Sequence, residues 1–188
     1  MVYKPMYFIF CGFSRADKKN HKLNMFSVKE YLDGLPSNAP EIDLMNVDAE
    51  EIPDLSRFTN LQYLYCNNNR LTRLPNLPNT LIELYCSENQ LVELPELPPT
   101  LRLLHCGMNK LTSLPNMSAM KNLEVIYCGF NNISQLPFIC PENNFRLLQI
   151  FFDETPASED KTECSQIYKS LNAIQANFVQ VMNDLYSS

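Results

Sequence analysis

The sequence has no tryptophan, only four glycines, and charged residues at just 19% of its 188 positions. It also lacks any apolar run near the ~20 residues that a membrane helix requires, which predicts a soluble protein without a membrane partner. Hydrophobic residues make up 45%, which excludes a disordered chain. Because the 13 prolines oppose long helices, we expect mainly strands, turns and polyproline-like segments.

The balance of charge argues against a nucleic-acid partner. Fifteen Lys and Arg against 21 Asp and Glu give a net charge of −6, the wrong sign for neutralising phosphates. Residues 1–34 are locally basic, with six basic and three acidic side chains, which leaves −9 on the remainder. This distribution predicts a solvated basic arm beside an acidic body.

The seven cysteines are an odd number, and four of them fall at a periodic position. A secreted disulfide framework is therefore not expected, and a reducing compartment such as the cytoplasm is predicted. The apolar segment at residues 6–13 is short, follows Pro5 and lacks a small-residue cleavage site. It is predicted to be a strand and not a signal peptide.

The sequence repeats itself about every 20 residues. Each copy follows the pattern L-x-x-L-x-C-x-x-N-x-L-x-x-L-P, and the four matched copies begin at Leu61, Leu81, Leu101 and Leu123. A degraded copy begins upstream at Ala39, and a last strand is predicted on Phe145, Leu148, Ile150 and Asp153. About six units are therefore predicted over residues 39–153, between an N-terminal cap at 1–38 and a C-terminal cap at 154–188.

This pattern resembles the leucine-rich repeat in its shortest form of 20–22 residues. The Leu-Pro-x-Leu-Pro segment is similar to repeats of bacterial effectors, and the Leu-Tyr-Cys start is similar to repeat proteins of large DNA viruses. The resemblance implies an α/β solenoid, a horseshoe with a parallel sheet on its concave face and an extended convex side. Some effectors carry a ubiquitin-ligase domain after the repeats, but about 35 residues follow here, and we expect only a cap.

Alternation within each copy predicts a short strand whose leucines and cysteine point inward. The asparagines at the strand exits are predicted to satisfy backbone groups, and they are Asn69, Asn89, Asn109 and Asn131. The inward cysteines, Cys66, Cys86, Cys106 and Cys128, form a ladder with rungs ~4.8 Å apart. Because zinc needs ligands that converge on one point, these thiols are predicted to be reduced, buried and metal-free.

No catalytic site can be assembled from the sequence. His21 and His105 are the only imidazole bases, and neither lies in a catalytic motif. A glycine-rich phosphate loop, a metal constellation and an acid/base pair are all lacking. We therefore expect no enzymatic activity, no cofactor and no metal.

Helices are predicted at both flanks. Ser27 and Glu30 have the spacing of a capping box, which predicts a short helix near residues 27–33. Apolar residues at alternating spacings of 3 and 4 predict a helix from about residue 160 to 186. This second helix could cap the last repeat or form an interface with a partner, and both alternatives stay open.

The outward strand positions form columns along the concave face. One column is predicted to run from Asp43 through the tyrosines to Gln149. Exposed aromatic and apolar side chains are typical anchors of protein interfaces. The predicted partner-binding residues are Tyr63, Tyr65, Tyr85, Leu103, His105, Met108, Val125, Tyr127, Phe130 and Phe152.

These columns predict a non-catalytic protein that binds a protein partner, in the cytoplasm of its own cell or of a host. Three alternatives remain for the same side chains. They could be covered by the chain's own helix or by an identical subunit, or they could merely reflect strand propensity. A structural component that self-associates, for example in a virion, is the alternative function.

Overall fold

The computed structural model describes residues 27–135, 146–147, 149–152 and 155–156. Within these ranges the chain forms one short helix and six strands of three residues each. The helix is α1 (Val28–Asp33), and the strands are β1 (Glu41–Asp43), β2 (Tyr63–Tyr65), β3 (Glu83–Tyr85), β4 (Leu103–His105), β5 (Val125–Tyr127) and β6 (Gln149–Phe151).

The six strands form one parallel sheet, and each strand pairs with the next strand in the sequence. The register places equivalent residues of successive repeats side by side, as with Tyr65, Tyr85 and His105. The segments that connect β2 to β5 contain no helix, as their prolines predict. This arrangement confirms a leucine-rich-repeat solenoid with a parallel sheet and an extended return path.

The core follows directly from the alternation in each strand. The central residues of β1 to β5 are fully buried, and they are Ile42, Leu64, Leu84, Leu104 and Ile126. Their neighbours on either side point to the opposite face and are mostly half-buried. Each fully buried leucine stabilises the fold by ~1.5–3 kcal/mol before entropy is subtracted, so stacking the repeats is what makes each one stable.

The predicted register of the last repeat is wrong by two residues. The repeat pattern aligns Ile126 with Leu148, whereas the sheet pairs Ile126 with Ile150. A shift of two residues preserves the alternation between inward and outward positions. The period-two pattern therefore could not detect the error.

The observed register changes which side chains face solvent. Leu147 is fully buried and Phe152 is only 8% exposed, so both belong to the core and not to the outward columns. Phe151 takes the outward position that had been predicted for Gln149. Thr155 is also buried, and its hydroxyl donates to the carbonyl of Phe152 at 2.7 Å, as the asparagine of other repeats does.

Helix α1 begins with the predicted capping box. The Ser27 hydroxyl accepts from the backbone N–H of Glu30 at 3.2 Å, and the Glu30 carboxylate accepts from the backbone N–H of Ser27 at 2.8 Å. Leu32 is buried in the common core. At the other end of the helix, the guanidinium of Arg57 donates to the carbonyls of Leu32 and Leu35. These contacts fix the helix against the first repeat.

Two predicted elements lie outside the described residues. They are the strand at residues 6–13 and the helix at about 160–186. The assignment of both flanks as caps therefore stays a prediction, as does the division of the chain into three parts. In the described part of the chain, no helix has the length and apolar character needed to cross a bilayer.

The asparagine ladder is structural, as predicted. In the third matched copy, the side-chain amide of Asn109 donates to the carbonyls of Cys86 at 3.0 Å and Cys106 at 3.1 Å. Its side-chain oxygen accepts from the backbone N–H of Leu91 at 3.0 Å. One side chain therefore ties its own turn to the preceding repeat. Equivalent contacts are made by Asn69, Asn89 and Asn131.

The cysteine ladder is buried and reduced, which confirms the predicted burial. Cys66, Cys86, Cys106 and Cys128 are free thiols with no exposed surface. Burial raises the pKa of the Cys66 thiol to about 12 and also raises the pKa of Cys86 and Cys106. Because the thiolate is the reactive form, the raised pKa values and the lack of exposed surface both disfavour reaction of these buried thiols in the folded state.

We expect native protein to leave the four ladder cysteines unlabelled by a thiol reagent until denaturant is added. Peptide mass spectrometry would follow each cysteine separately. This is necessary because Cys11, Cys140 and Cys164 lie outside the described residues and need not behave like the ladder cysteines. Rapid labelling of any ladder cysteine in native protein would contradict the packing described here.

Candidate protein-binding surface

Five rings form a continuous stack along the outward side of the sheet, here called the concave face. The ring stack consists of Tyr65, Tyr85, His105, Tyr127 and Phe151, with successive centroids 5.0, 5.9, 4.8 and 4.4 Å apart. Parallel strands lie ~4.8 Å apart, so the register alone brings the rings into contact. Aromatic pairs at such separations contribute ~0.5–1.5 kcal/mol each, so each ring is stabilised by its neighbours in the stack.

A second column runs beside the ring stack. It contains Tyr63, Glu83, Leu103 and Val125, which are half-buried, and the exposed Gln149. The predicted outward orientation of Tyr63, Leu103 and Val125 is therefore confirmed. Together the two columns present mainly aromatic and aliphatic carbon from β2 to β5.

Met108 and Phe130 follow β4 and β5 and are the most exposed large apolar side chains of this face, at 47% and 41%. Both residues also have a positive φ, of 54° and 56°. The left-handed conformation suits glycine or asparagine, and it strains other residues. The equivalent position in the first matched copy is indeed Asn68. Glu88 in the second matched copy has the same conformation, with a φ of 55°, so the left-handed residue belongs to the turn of every matched copy. What distinguishes Met108 and Phe130 is that their side chains are apolar and exposed.

Two glycines lie along the chain between the ring stack and Met108 and Phe130. They are Gly107 and Gly129, at the positions where earlier repeats have Asn67 and Ser87. A side chain added at Gly107 would place its first carbon 3.2 Å from the carbonyl oxygen of Gly129. This contact is tight, so a larger residue at Gly107 would require a small shift of the neighbouring backbone.

The imidazole of His105 is held neutral within the ring stack. It lies between the rings of Tyr85 and Tyr127, and its Nδ1 forms a hydrogen bond with the hydroxyl of Ser87. Burial lowers the pKa of His105 because it disfavours the charged imidazolium. The middle of the ring stack is therefore uncharged at neutral pH.

Carboxylates surround the other end of the ring stack. Burial raises the pKa of Tyr65, and the negative charges of Glu83, Glu41 and Asp43 raise it further. The hydroxyl of Tyr85 donates to the Glu83 carboxylate at 3.1 Å, and the pKa of Tyr85 is also raised, first by burial and then by that charge. The concave face is thus acidic near β1 to β3 and apolar near β4 and β5.

Nine of the ten residues predicted to bind a partner lie on this face. The exception is Phe152, which the shifted register turns into the core. The sequence interpretation missed Phe151, the last ring of the stack. The signal was present, because residues 147–155 fit the pattern L-x-x-L-x-C-x-x-N once isoleucine, phenylalanine and threonine are allowed.

Comparisons with known proteins agree with this architecture. The family described as leucine-rich repeats in two copies matches residues 59–99 and again residues 99–141. YopM from Yersinia enterocolitica is 33% identical with a TM-score of 0.59, and YopM from Yersinia pestis, a leucine-rich effector protein, is 26% identical with a TM-score of 0.60. The leucine-rich-repeat domain of a Shigella effector is 28% identical with a TM-score of 0.57.

These matches cover much of this chain but less of the relatives. The alignments include 68%, 75% and 72% of the chain, and 27%, 44% and 66% of the three relatives in the same order. No curated protein matches the sequence. The repeat pattern, the six-stranded parallel sheet and the matched family together identify the chain as a leucine-rich-repeat protein similar to bacterial effectors.

Proposed function

We propose that this protein binds a protein partner through its concave face and catalyses no reaction. The observation that carries the proposal is the pair Met108 and Phe130, which are large, apolar and exposed. They follow the ring-stack residues His105 and Tyr127 in the sequence, after Gly107 and Gly129. Exposed apolar surface is costly for the free protein, and a bound partner would offset that cost.

The chemistry of the face suits a protein partner. Tyrosine and other aromatic side chains are enriched among the residues that dominate binding energy, because they bury large areas and lose little conformational freedom. Here the rings already contact one another in the free protein, and contacts that favour one conformation lower the entropy cost of association. The described residues also hold no cluster of three or more His, Cys, Asp or Glu arranged for a metal.

The relatives support the same role. The Yersinia pestis protein is a leucine-rich effector, and the Shigella relative is the repeat domain of an effector. By analogy, we propose that the partner is a host protein met in the host cytoplasm. The chain spans only 27%, 44% and 66% of these relatives, so the proposal concerns the binding surface and not a whole effector's activity.

We expect Tyr85→Ala and Tyr127→Ala each to weaken partner binding by ~1–3 kcal/mol, because each removes an anchor from the ring stack. Suitable ligands are peptides selected from a phage-displayed library on the immobilised full-length protein, and titration calorimetry would give their affinities. The convex variants Arg73→Ala and Glu93→Ala change exposed residues of the return segments and serve as controls.

Convex variants that abolish binding while the concave variants retain it would contradict the proposal. Light scattering over a dilution series distinguishes partner binding from the other candidate function, self-association. An oligomer that resists dilution and dissociates on Tyr127→Ala would assign the face to self-assembly.

A further inference from the structure

The concave face is divided into two chemically different halves, and this division restricts what the partner can be. Strands β1 to β3 carry Glu41, Asp43 and Glu83 around the first two rings of the stack. Strands β4 and β5 carry Leu103 and Val125, with Met108 and Phe130 beside them. A partner of uniform charge or uniform hydrophobicity would match only one half.

The carboxylates of the acidic half are not neutralised by the described part of the chain. None of Glu41, Asp43 and Glu83 forms an ion pair with a described residue. Arg102 is the nearby base, but its guanidinium binds both oxygens of Glu124 at 3.0 Å. Like charges that face each other without a counter-charge favour a cationic ligand between them.

The rings between these carboxylates favour the same kind of ligand. A cation over the face of a tyrosine ring gains a cation–π attraction, and a planar guanidinium can also stack on the ring and form paired hydrogen bonds with a carboxylate. Tyr65 is the end ring of the described stack, with its other face turned toward β1. An arginine or lysine side chain of a partner could therefore contact this ring and the surrounding carboxylates together.

We propose that the concave face binds a protein segment that presents an arginine or lysine to Tyr65 and Glu83 and an apolar or aromatic side chain to Met108 and Phe130. This inference rests on the proposed function and specifies the chemistry of its partner. The two contact points lie on β2 and after β5, three strand spacings or about 14 Å apart. An extended segment covers that distance in about four residues, and a helix covers it in about nine.

The peptides selected on the full-length protein test this spacing. A random library of about 16 residues accommodates both the extended and the helical arrangement. Enriched sequences are expected to share a basic residue and an apolar residue about four or about nine positions apart. Enrichment of acidic or wholly apolar sequences would overturn the proposal. So would no enrichment at all, the result expected if residues 1–26 or a second copy already covered the face.

Charge reversal on a synthetic copy of the best-enriched peptide tests the contact itself. Glu83→Lys is expected to weaken binding about tenfold or more, whereas Glu93→Lys, the same change on the convex side, should alter it less than about threefold. Glu83→Gln keeps an acceptor for the Tyr85 hydroxyl and removes only the charge, so it should also weaken binding if the fold is intact. Replacing the peptide's basic residue by glutamate should restore affinity for Glu83→Lys.

The outcomes separate this inference from the function on which it rests. Peptides that depend on Tyr85 and Tyr127 but not on the charge of Glu83 would leave the concave face as the binding surface and overturn the basic partner. Peptides that depend on neither the rings nor Glu83 would overturn both.

Discussion

Asn109→Ala is expected to lower the free energy of unfolding by about 3–5 kcal/mol. The side chain is only 9% exposed, and its loss leaves the N–H of Leu91 and the carbonyls of Cys86 and Cys106 without these bonds. A buried backbone group deprived of its partner costs ~1–3 kcal/mol. Urea unfolding followed by circular dichroism would measure the change.

Asn76→Ala is the matched control for this substitution. Asn76 lies exposed on a return segment, so the same side chain is removed without burying an unsatisfied group, and the expected change is within ~0.5 kcal/mol. Equal losses for the two variants would show that the asparagine ladder does not hold the repeats together.

Leu104→Ala is expected to cost about 2–5 kcal/mol, because it opens a cavity in the centre of β4. Leu104 is fully buried and pairs in register with Leu84 and Ile126. Its neighbour Leu103 points to the concave face and is half-buried. Leu103→Ala should therefore cost less than ~1.5 kcal/mol, as measured by the same unfolding experiment.

The comparison of Leu103→Ala with Leu104→Ala also tests whether the concave face is open. A loss for Leu103→Ala as large as that for Leu104→Ala would mean that both sides of the sheet are covered, by the chain itself or by a second copy. That result would contradict the proposal that the concave face is free to bind a partner.

Most of the fold could be predicted because each structural position occurs several times in the sequence, once in every repeat. The inward leucines, the cysteine ladder and the strand-exit asparagines recur at fixed offsets, and stacking then allows one arrangement. The capping box at Ser27 is similarly local, since its two residues satisfy each other's backbone groups. For such features the sequence contains all the interactions that determine the structure.

The last repeat could not be placed by the same reasoning. Its longer return segment shifts the register by two residues, and Phe145, Leu148 and Ile150 fit the alternation as well as Leu147, Ile150 and Phe152 do. Only the packing of Leu147 and Phe152 into the core decides between them. The predicted site therefore wrongly includes Phe152, which is buried, and omits Phe151, which belongs to the ring stack.

The repeat pattern also could not predict the charge division of the concave face. The acidic residues of β1 to β3 are visible in the columns, but the pairing of Arg102 with Glu124 is not. Without that pairing, Arg102 would be expected to neutralise Glu83. The left-handed conformation of Met108 and Phe130 likewise depends on the turn geometry that the asparagine ladder imposes.

The most direct test of the central claim compares two exposed apolar residues on opposite faces. Met108 on the concave face is 47% exposed, and Val92 on the convex side is 53% exposed. Calorimetric titration of the selected peptides should show that Met108→Ala weakens binding by ~1–2 kcal/mol and that Val92→Ala leaves it unchanged, with both variants retaining wild-type stability. Equal affinities for the two variants, or a loss confined to Val92→Ala, would contradict a concave binding surface.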